Sequence, residues 1–409
     1  MSQIPGLHAQ IAPFEVRDGC LCVGGKSVVE IMSGLESVPA YLYDANLIRQ
    51  RIRSLKNSLP DAVSLHYAMK ANPMTAIVSL VAGLVDGLDI ASGGELEVAL
   101  QSGCDPKEMS FAGPGKKDWE LTAAIDAGIT INVESPGELE RIGVLSVDGS
   151  AKVALRVNPD FELKSSGMSM SGGPKPFGID SEMIPDVLKR IGELPVRFRG
   201  FHIFSGAQNL RPESICEAQI KALALALELS PHAPSPPQFI NVGGGFGIPY
   251  FPGDEPLDIS SICENLQKLC AQLESVHPGC ELVIELGRYL VGEAGVYISR
   301  VVDKKVSRGH TYLVTDGGLH HHLSASGNFG QVIRKNYPVV VANRIGAQDT
   351  KVASVVGPLC TPLDLLANKM ELATADTGDL IAVFQSGAYG YTASPHLFLS
   401  HPPPAQLLL

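Results

Sequence analysis

Eight short apolar runs, each followed by an amphipathic stretch, constrain this chain more than any other feature. VSLHYAM, GLDIAS, EMSFAG, ITINVES, KVALRVN, FRGFHIF, FINVGGG and ELVIELGR lie in that order between Val63 and Arg288. Between them, GGELEVALQSG, DWELTAAIDAG and PESICEAQIKALALALELS repeat apolar residues at helical spacing. A run without polar alternation suits a strand covered on both faces, as in a parallel sheet with crossover helices. Eight such units in this length of chain predict a (β/α)8 TIM barrel over residues 41–295. An open doubly wound sheet is the alternative, and the count and length favour the barrel.

After Gly295 the helical period fades. VYISRVVDKKVSR, TYLVTDGG, YPVVVANR, KVASVVG and DLIAVFQSG alternate and are rich in Val, Ile and Tyr, which predicts an antiparallel β domain over residues 296–409. The first forty residues contain DGCLCVGGKSVVEI, a small β segment expected to return and complete that domain, because an orphan strand pair is only marginally stable. The tail LSHPPPAQLLL is read as irregular, since three prolines cannot continue a strand or helix interior.

Composition narrows the partners. Of 409 residues 45% are apolar and 18% charged, a globular balance. Lys plus Arg total 32 against 43 for Asp plus Glu, a formal net charge of −11. Such a chain repels phosphate backbones and anionic bilayers, which argues against nucleic-acid or membrane-surface binding. Eight cysteines form no CxxC pair and no zinc-spaced cluster, and are read as reduced, mostly buried thiols. The first residues lack the basic and apolar regions of a signal peptide, and no apolar run is long enough to span a bilayer. The expectation is a cytoplasmic protein.

In a barrel, chemistry gathers at the C-terminal ends of strands. The first run ends in Lys70 within HYAMKAN. A Lys buried there would be costly to keep charged, and a neutral amine is the nucleophile that forms Schiff bases; a Lys reaching to the rim is the bland alternative. GLDIAS carries Asp89, which either orients a neighbour or caps the following helix. FRGFHIFSGAQ carries His202 and Ser205, where an imidazole can stack on a flat ring or simply fill the core. NVGGGFG supplies Gly244 and Gly245, either a phosphate cradle or a tight turn. ELGR places Glu285, Gly287 and Arg288 so that a carboxylate and a guanidinium serve two parts of one ligand, or pair with each other. Later, GPLCTPLD sets Cys360 in a turn-rich segment, and SGAYGY offers the Tyr389 hydroxyl on a Gly-flexed loop. His320, His321 and His322 look like metal ligands, but adjacent residues do not share a helix or strand face, so no metal is expected.

Taken together and in order, YAMKAN, HIFSGAQ, NVGGGFG, ELGR, GPLCTPLD and SGAYGY resemble the pyridoxal-phosphate-dependent decarboxylases of the alanine-racemase-like fold, the family of diaminopimelate and ornithine decarboxylases. The resemblance covers nearly the whole chain. It implies that Lys70 carries pyridoxal 5'-phosphate as a Schiff base and that His202 stacks on the pyridine face. Gly244, Gly245, Arg288 and Tyr389 would hold the phosphate, and Glu285 would pair with the pyridine nitrogen, with Asp89, Ser205 and Gly287 in the same set. Cys360 would protonate the carbon that has lost CO2, reaching the site from the partner subunit of a homodimer. Alanine racemase resembles this barrel but has an Arg at the pyridine nitrogen, so Glu285 favours decarboxylation over racemisation. A regulator that has lost catalysis would lack Lys70 or Cys360, and both are present.

Departures from the family pattern bear on substrate. Diaminopimelate members carry an acidic residue after the Cys, whereas this chain has Thr361, which cannot offset a distal ammonium. Asp316 resembles a substrate-side Asp of ornithine decarboxylase and keeps a diamine open, and Arg334 and Tyr337 loosely match a carboxylate-binding pair. ELGRYLVGEAGVY, TDGGLHHHLSASGNFGQVIRKNYP and GPLCTPLD are similar to decarboxylases of exosortase and exopolysaccharide clusters, and to those acting on an aminoacyl group tethered to an acyl carrier protein. A tethered, glutamyl-like substrate has no distal ammonium. Docking an acidic carrier on an acidic chain needs a local basic patch, for which Arg334 and Lys335 are candidates.

Overall fold

A computed structural model of the chain describes residues 14–35, 39–161, 168–169, 173–331 and 333–409. The chain divides into two compact units. One comprises Arg51–Gly247 and Leu257–Tyr289; the other comprises the chain up to Gln50, Ile248–Pro256 and Leu290–Leu409.

The first unit is a closed parallel barrel of eight strands: β1 Val63–Ala68, β2 Gly87–Ile90, β3 Met109–Phe111, β4 Thr130–Val133, β5 Lys152–Asn158, β6 Arg197–His202, β7 Phe239–Gly244 and β8 Glu281–Leu286. Each strand pairs with the next, and β8 pairs back with β1 through Leu282↔Val63 to Leu286↔Tyr67. Every apolar run named above became one of these strands. The reason is burial: Leu65, Tyr67, Leu88, Ile131, Val153, Leu155, Ile240 and Ile284 are fully enclosed, as a helix-covered parallel sheet requires. Helices such as Gly93–Gln101, Asp118–Ala127, Pro136–Leu145 and Pro212–Leu229 connect successive strands. Ser92 and Ser135 accept the N–H of Glu95 and Glu138 at two helix starts, the Ser-x-x-Glu pattern that satisfies otherwise unpaired donors.

The second unit is built on Gly295–Ser307, a long strand that pairs antiparallel with Ala40–Tyr43, His310–Thr315 and Leu380–Val383. Leu42, Val296, Ile298, Ala382 and Phe384 form its core with Leu21, Val23 and Val28. Three findings depart from the sequence reading. The sheet is mixed, because His310–Thr315 runs parallel to Thr350–Val356 and Ala40–Tyr43 runs parallel to Ala405–Leu408. The tail therefore does contain a strand: Pro402, Pro403 and Pro404 lie just before it, and the proline restriction stops where Ala405 begins. The segment Val16–Ser27 forms its own small three-stranded sheet. That sheet is tied on by Leu21 N–H to Ala342 O and Ile345 N–H to Gly19 O, both under 3 Å. A further strand, Leu365–Ala373, escaped the sequence reading because LLANKMELA mixes helix-favouring residues with exposed Asn, Lys and Glu. Among the described residues, no helix is long and apolar enough to cross a membrane. All eight cysteines are free thiols, but only Cys22 and Cys270 are buried, and Cys360 is exposed.

Candidate active site

At the C-terminal end of β1 a short 3-10 turn, Met69–Ala71, swings Lys70 away from the strand interior. Its Nζ donates to Glu285 Oε1 at 2.9 Å and stands 5.8 Å from the Phe204 ring centre. The Lys70 side chain is 46% exposed and that of Glu285 5%. Of the two readings left open by the sequence, a buried amine or a Lys reaching to the rim, the half-exposed side chain matches the second. The turn carries Lys70 to the rim, beside the Glu285 carboxylate.

Glu285 lies opposite His66 of β1 and Gly244 of β7 in register, and its Oε2 is 3.2 Å from His202 Nε2 at the end of β6. Burial works against ionising Glu285, but the Lys70 ammonium and the His202 ring outweigh it and hold its carboxyl well below the usual carboxylate range. His202 is almost fully buried, and its Nδ1 makes no hydrogen bond. Ser205, three residues on, is also buried. Lys70, His202 and Glu285 are therefore brought together by the ends of three strands far apart in sequence.

Asp89 does not cap the helix after β2, a role taken by Ser92. It points into the barrel, accepts the Ser110 hydroxyl and lies 3.5 Å from His66 Nδ1. Burial lowers His66, but the nearby Asp89 carboxylate outweighs it and raises its pKa above the usual imidazole value. Beside this chain the barrel holds a buried ionic group that the sequence reading missed. Lys116 Nζ binds Glu138 Oε1 at 2.9 Å, and Arg156 Nη1 binds Glu134 Oε1 at 2.7 Å. The available signal was a charge inside an apolar run, Arg156 in KVALRVN and Glu134 in ITINVES. A buried charge must be paired to be tolerated.

The glycines at the end of β7 are required by the backbone. Gly243 and Gly245 have φ of +72° and +75°, the left-handed region that side chains disfavour. A Cβ at Gly244 would strike Glu285 O, and one at Gly245 would strike Gly206 O. Gly287 is similarly closed in, since a Cβ there would come within 2.9 Å of Ala71 Cβ and 3.0 Å of Ala68 O. Arg288, half-buried, opens the short helix Arg288–Val291.

The remaining residues belong to the second unit. Asp316 Oδ1 accepts the Arg300 N–H at 2.8 Å while Oδ2 is buried without a hydrogen bond, and burial raises its carboxyl above the usual range. Arg334 is turned inward: Nε donates to Ser326 O at 2.9 Å, Nη1 to Asn336 Oδ1 at 3.1 Å and Nη2 to Leu365 O at 2.5 Å. Of the two candidates for a basic patch, only Lys335 is an exposed surface cation. Tyr337 is buried among Tyr250 and His322, with ring centres 4.7 and 5.7 Å away. Cys360 is exposed, and the Thr361 hydroxyl accepts the Leu363 N–H at 3.3 Å. Tyr389 has a φ of +52°, and its carbonyl accepts the Ser324 hydroxyl at 2.8 Å.

The three histidines are all within 1% of complete burial. Contrary to the expectation that neighbours point apart, His320 and His321 rings lie 3.7 Å from centre to centre. The segment is a series of turns, to which the face rule for helices and strands does not apply. His322 Nε2 lies 2.8 Å from Ser386 Oγ, so this turn and Ser324 both support the loop that carries Tyr389.

The barrel residues fit pyridoxal phosphate. Lys70 supplies an accessible amine beside an ionised carboxylate, His202 is a buried ring held by that same carboxylate, and the Gly243–Gly245 backbone leaves no room for side chains. Comparison with known proteins agrees. Residues 45–292 match the model of the pyridoxal binding domain of pyridoxal-dependent decarboxylases. An L-glutamyl-[BtrI acyl-carrier protein] decarboxylase of Niallia circulans is 36% identical over 90% of this chain and 88% of its own length. A diaminopimelate decarboxylase of Aquifex aeolicus is 32% identical over 94% of this chain and 89% of its own. The crystal structure of a diaminopimelate decarboxylase from M. jannaschi superposes with a TM-score of 0.85 at 25% identity, covering 97% of this chain and 92% of that one. The chain belongs to the pyridoxal-dependent decarboxylases, enzymes whose cofactor is pyridoxal phosphate.

Proposed function

We propose that this enzyme removes the α-carboxylate of a glutamyl-like aminoacyl group tethered to an acyl carrier protein, working as a homodimer with shared sites. The observation that carries the substrate reading is Thr361. An uncharged hydroxyl follows Cys360 and is already engaged by the Leu363 N–H of its own turn. A substrate with a distal ammonium would find no carboxylate at that position, and an unpaired charge there is costly. The similarity to a decarboxylase of a carrier-bound L-glutamyl group supports the same reading.

Pyridoxal phosphate supplies an electron sink for the bond to the departing carboxylate. Lys70 offers the amine that would bond its aldehyde, from a position 2.9 Å from Glu285. Glu285, ionised and buried, would hold a proton on the pyridine nitrogen, which favours decarboxylation over racemisation. His202 would pack its ring on the pyridine face, while Gly244, Gly245, Arg288 and Tyr389 would receive the phosphate, the last through its hydroxyl. Asp89, Ser205 and Gly287 would complete the cofactor's surroundings. Cys360 would give its thiol proton to the carbon that lost CO2.

One observation favours a second reading, a decarboxylase of a free basic amino acid: Asp316 Oδ2 is a buried acceptor without a hydrogen bond. The test is CO2 release by the cofactor-loaded enzyme from free diaminopimelate, lysine, ornithine, arginine and glutamate, and from glutamyl, lysyl and ornithyl groups on an acyl carrier protein. The expected result is release from the glutamyl carrier at least about a hundredfold faster than from any free amino acid. Comparable release from free diaminopimelate would refute the tethered reading and make Asp316 the residue to mutate.

A further inference from the structure

Away from the barrel, a single buried carboxylate joins two segments of the second unit. Asp364 closes the turn Gly357–Asp364 and is 3% exposed. Its Oδ1 accepts the Leu319 N–H at 2.6 Å and its Oδ2 accepts the Leu359 N–H at 2.8 Å. Its own N–H donates to Thr361 O, and its carbonyl accepts the Gly357 N–H, each at 3.2 Å. One residue therefore folds the Cys360 turn onto itself and ties it to the segment that follows Asp316. The fit is close, since a Cβ at either Gly318 or Gly357 would collide with this carboxylate. Two converging N–H donors require two acceptor oxygens; an amide would present its own N–H groups to one of them.

We propose that Asp364 is a positioning residue for Cys360: by bonding the amide of Leu359, the residue before Cys360, to that of Leu319, it fixes the direction from which the thiol delivers its proton. The inference rests on the acid role proposed above. In that step the S–H bond breaks and a C–H bond forms with the electron pair left when the carboxylate departs as CO2. The thiolate then regains a proton from water. An exposed turn without this tether would sample many orientations, and proton delivery depends on a well-aligned approach.

The test uses the holoenzyme and Asp364→Asn, Cys360→Ala and the double variant, with turnover of the best substrate of the panel above. Asp364→Asn is expected to slow turnover about thirtyfold in the parent and less than about twofold in the Cys360→Ala background. A purely structural Asp364 would instead give effects that multiply, and that result overturns the proposal. Unchanged turnover in Cys360→Ala alone would remove the acid role itself and the inference with it, so the two failures are distinguishable. Hydrogen exchange of the parent holoenzyme gives a check that needs no folded variant. The Leu319 and Leu359 amides are expected to exchange at least about a hundredfold slower than unbonded amides of the same turns, and lack of protection at Leu359 overturns the tether.

Discussion

At the residue scale, the pairing of Lys70 with Glu285 separates charge from chemistry. The ammonium holds the buried carboxylate ionised, while only an amine with a free lone pair can bond an aldehyde. Lys70→Arg keeps the positive charge and can keep the ion pair, yet has no such amine. The expected outcome is a folded protein with thermal stability within about 1 kcal/mol of the parent and no covalent label after borohydride reduction with pyridoxal phosphate, read by mass spectrometry. Retained labelling at another lysine would displace Lys70 from the role. Lys70, His202 and Glu285 were legible in the sequence because each ends an apolar strand, and strand ends are where a barrel collects its chemistry. Asp364 and the inward bonds of Arg334 were not. Apart from Asn336 Oδ1, their partners are backbone atoms of Leu319, Leu359, Ser326 and Leu365, and a backbone partner leaves no mark in the side-chain sequence.

At the scale of elements, the barrel was legible because each strand is apolar along its length. The mixed sheet was less so, since its half-exposed strands depend on neighbours that only the fold supplies. Two elements carry predictions. The first is Ala405–Leu408, which lies parallel to Ala40–Tyr43, with Ala45 N–H donating to Leu409 O at 2.8 Å and Leu409 N–H to Tyr43 O at 2.9 Å. Ala405, Leu407 and Leu409 also pack on the core of that unit. Deleting residues 405–409 should lower its stability by roughly 3 kcal/mol, measured by urea titration.

The second is the turn of His320, His321 and His322. Burial, aided by repulsion from neighbouring imidazoles at the first two, pushes them down to about 4, about 3 and about 3. His396 and His401, and the Tyr41, Tyr297 and Tyr337 rings, face this turn. An unfolded imidazole takes up a proton near pH 6.5, so below that pH the unfolded state binds protons first and stability falls as pH falls. Nothing is lost on this account above pH 7. His322→Gln keeps a donor for Ser386 and removes one such site. Its stability should drop about 2 kcal/mol less than the parent's between pH 7.5 and pH 5, followed by urea midpoints. Parallel pH profiles would contradict the assignment.

At the scale of the whole molecule, Lys70 and Cys360 belong to different compact units of the chain. Shared sites in a homodimer make a measurable demand. Lys70→Ala and Cys360→Ala are each expected to lose most of the parent activity, with Cys360→Ala keeping a slow residual turnover. Co-refolded in equal amounts, half of the dimers pair one with the other, and each of those holds one intact site, so about a quarter of the parent activity should return. No recovery, with mixed dimers shown to be present, would place both residues in a site built by one subunit.

The sheet that receives Ala40–Tyr43 also sets an order of assembly. This strand leaves the ribosome early, whereas its neighbours Gly295–Ser307 and Ala405–Leu408 follow only after the whole barrel has been translated. The barrel strands mostly pair with the next strand along and can close as they emerge. Ala40, Tyr41, Leu42 and Tyr43, almost completely buried once the sheet is made, spend that interval as an unpaired apolar edge. An edge of this kind invites pairing with other chains. Slow translation of the second half therefore prolongs exposure to aggregation, and a nascent chain of this enzyme is a natural client for chaperones.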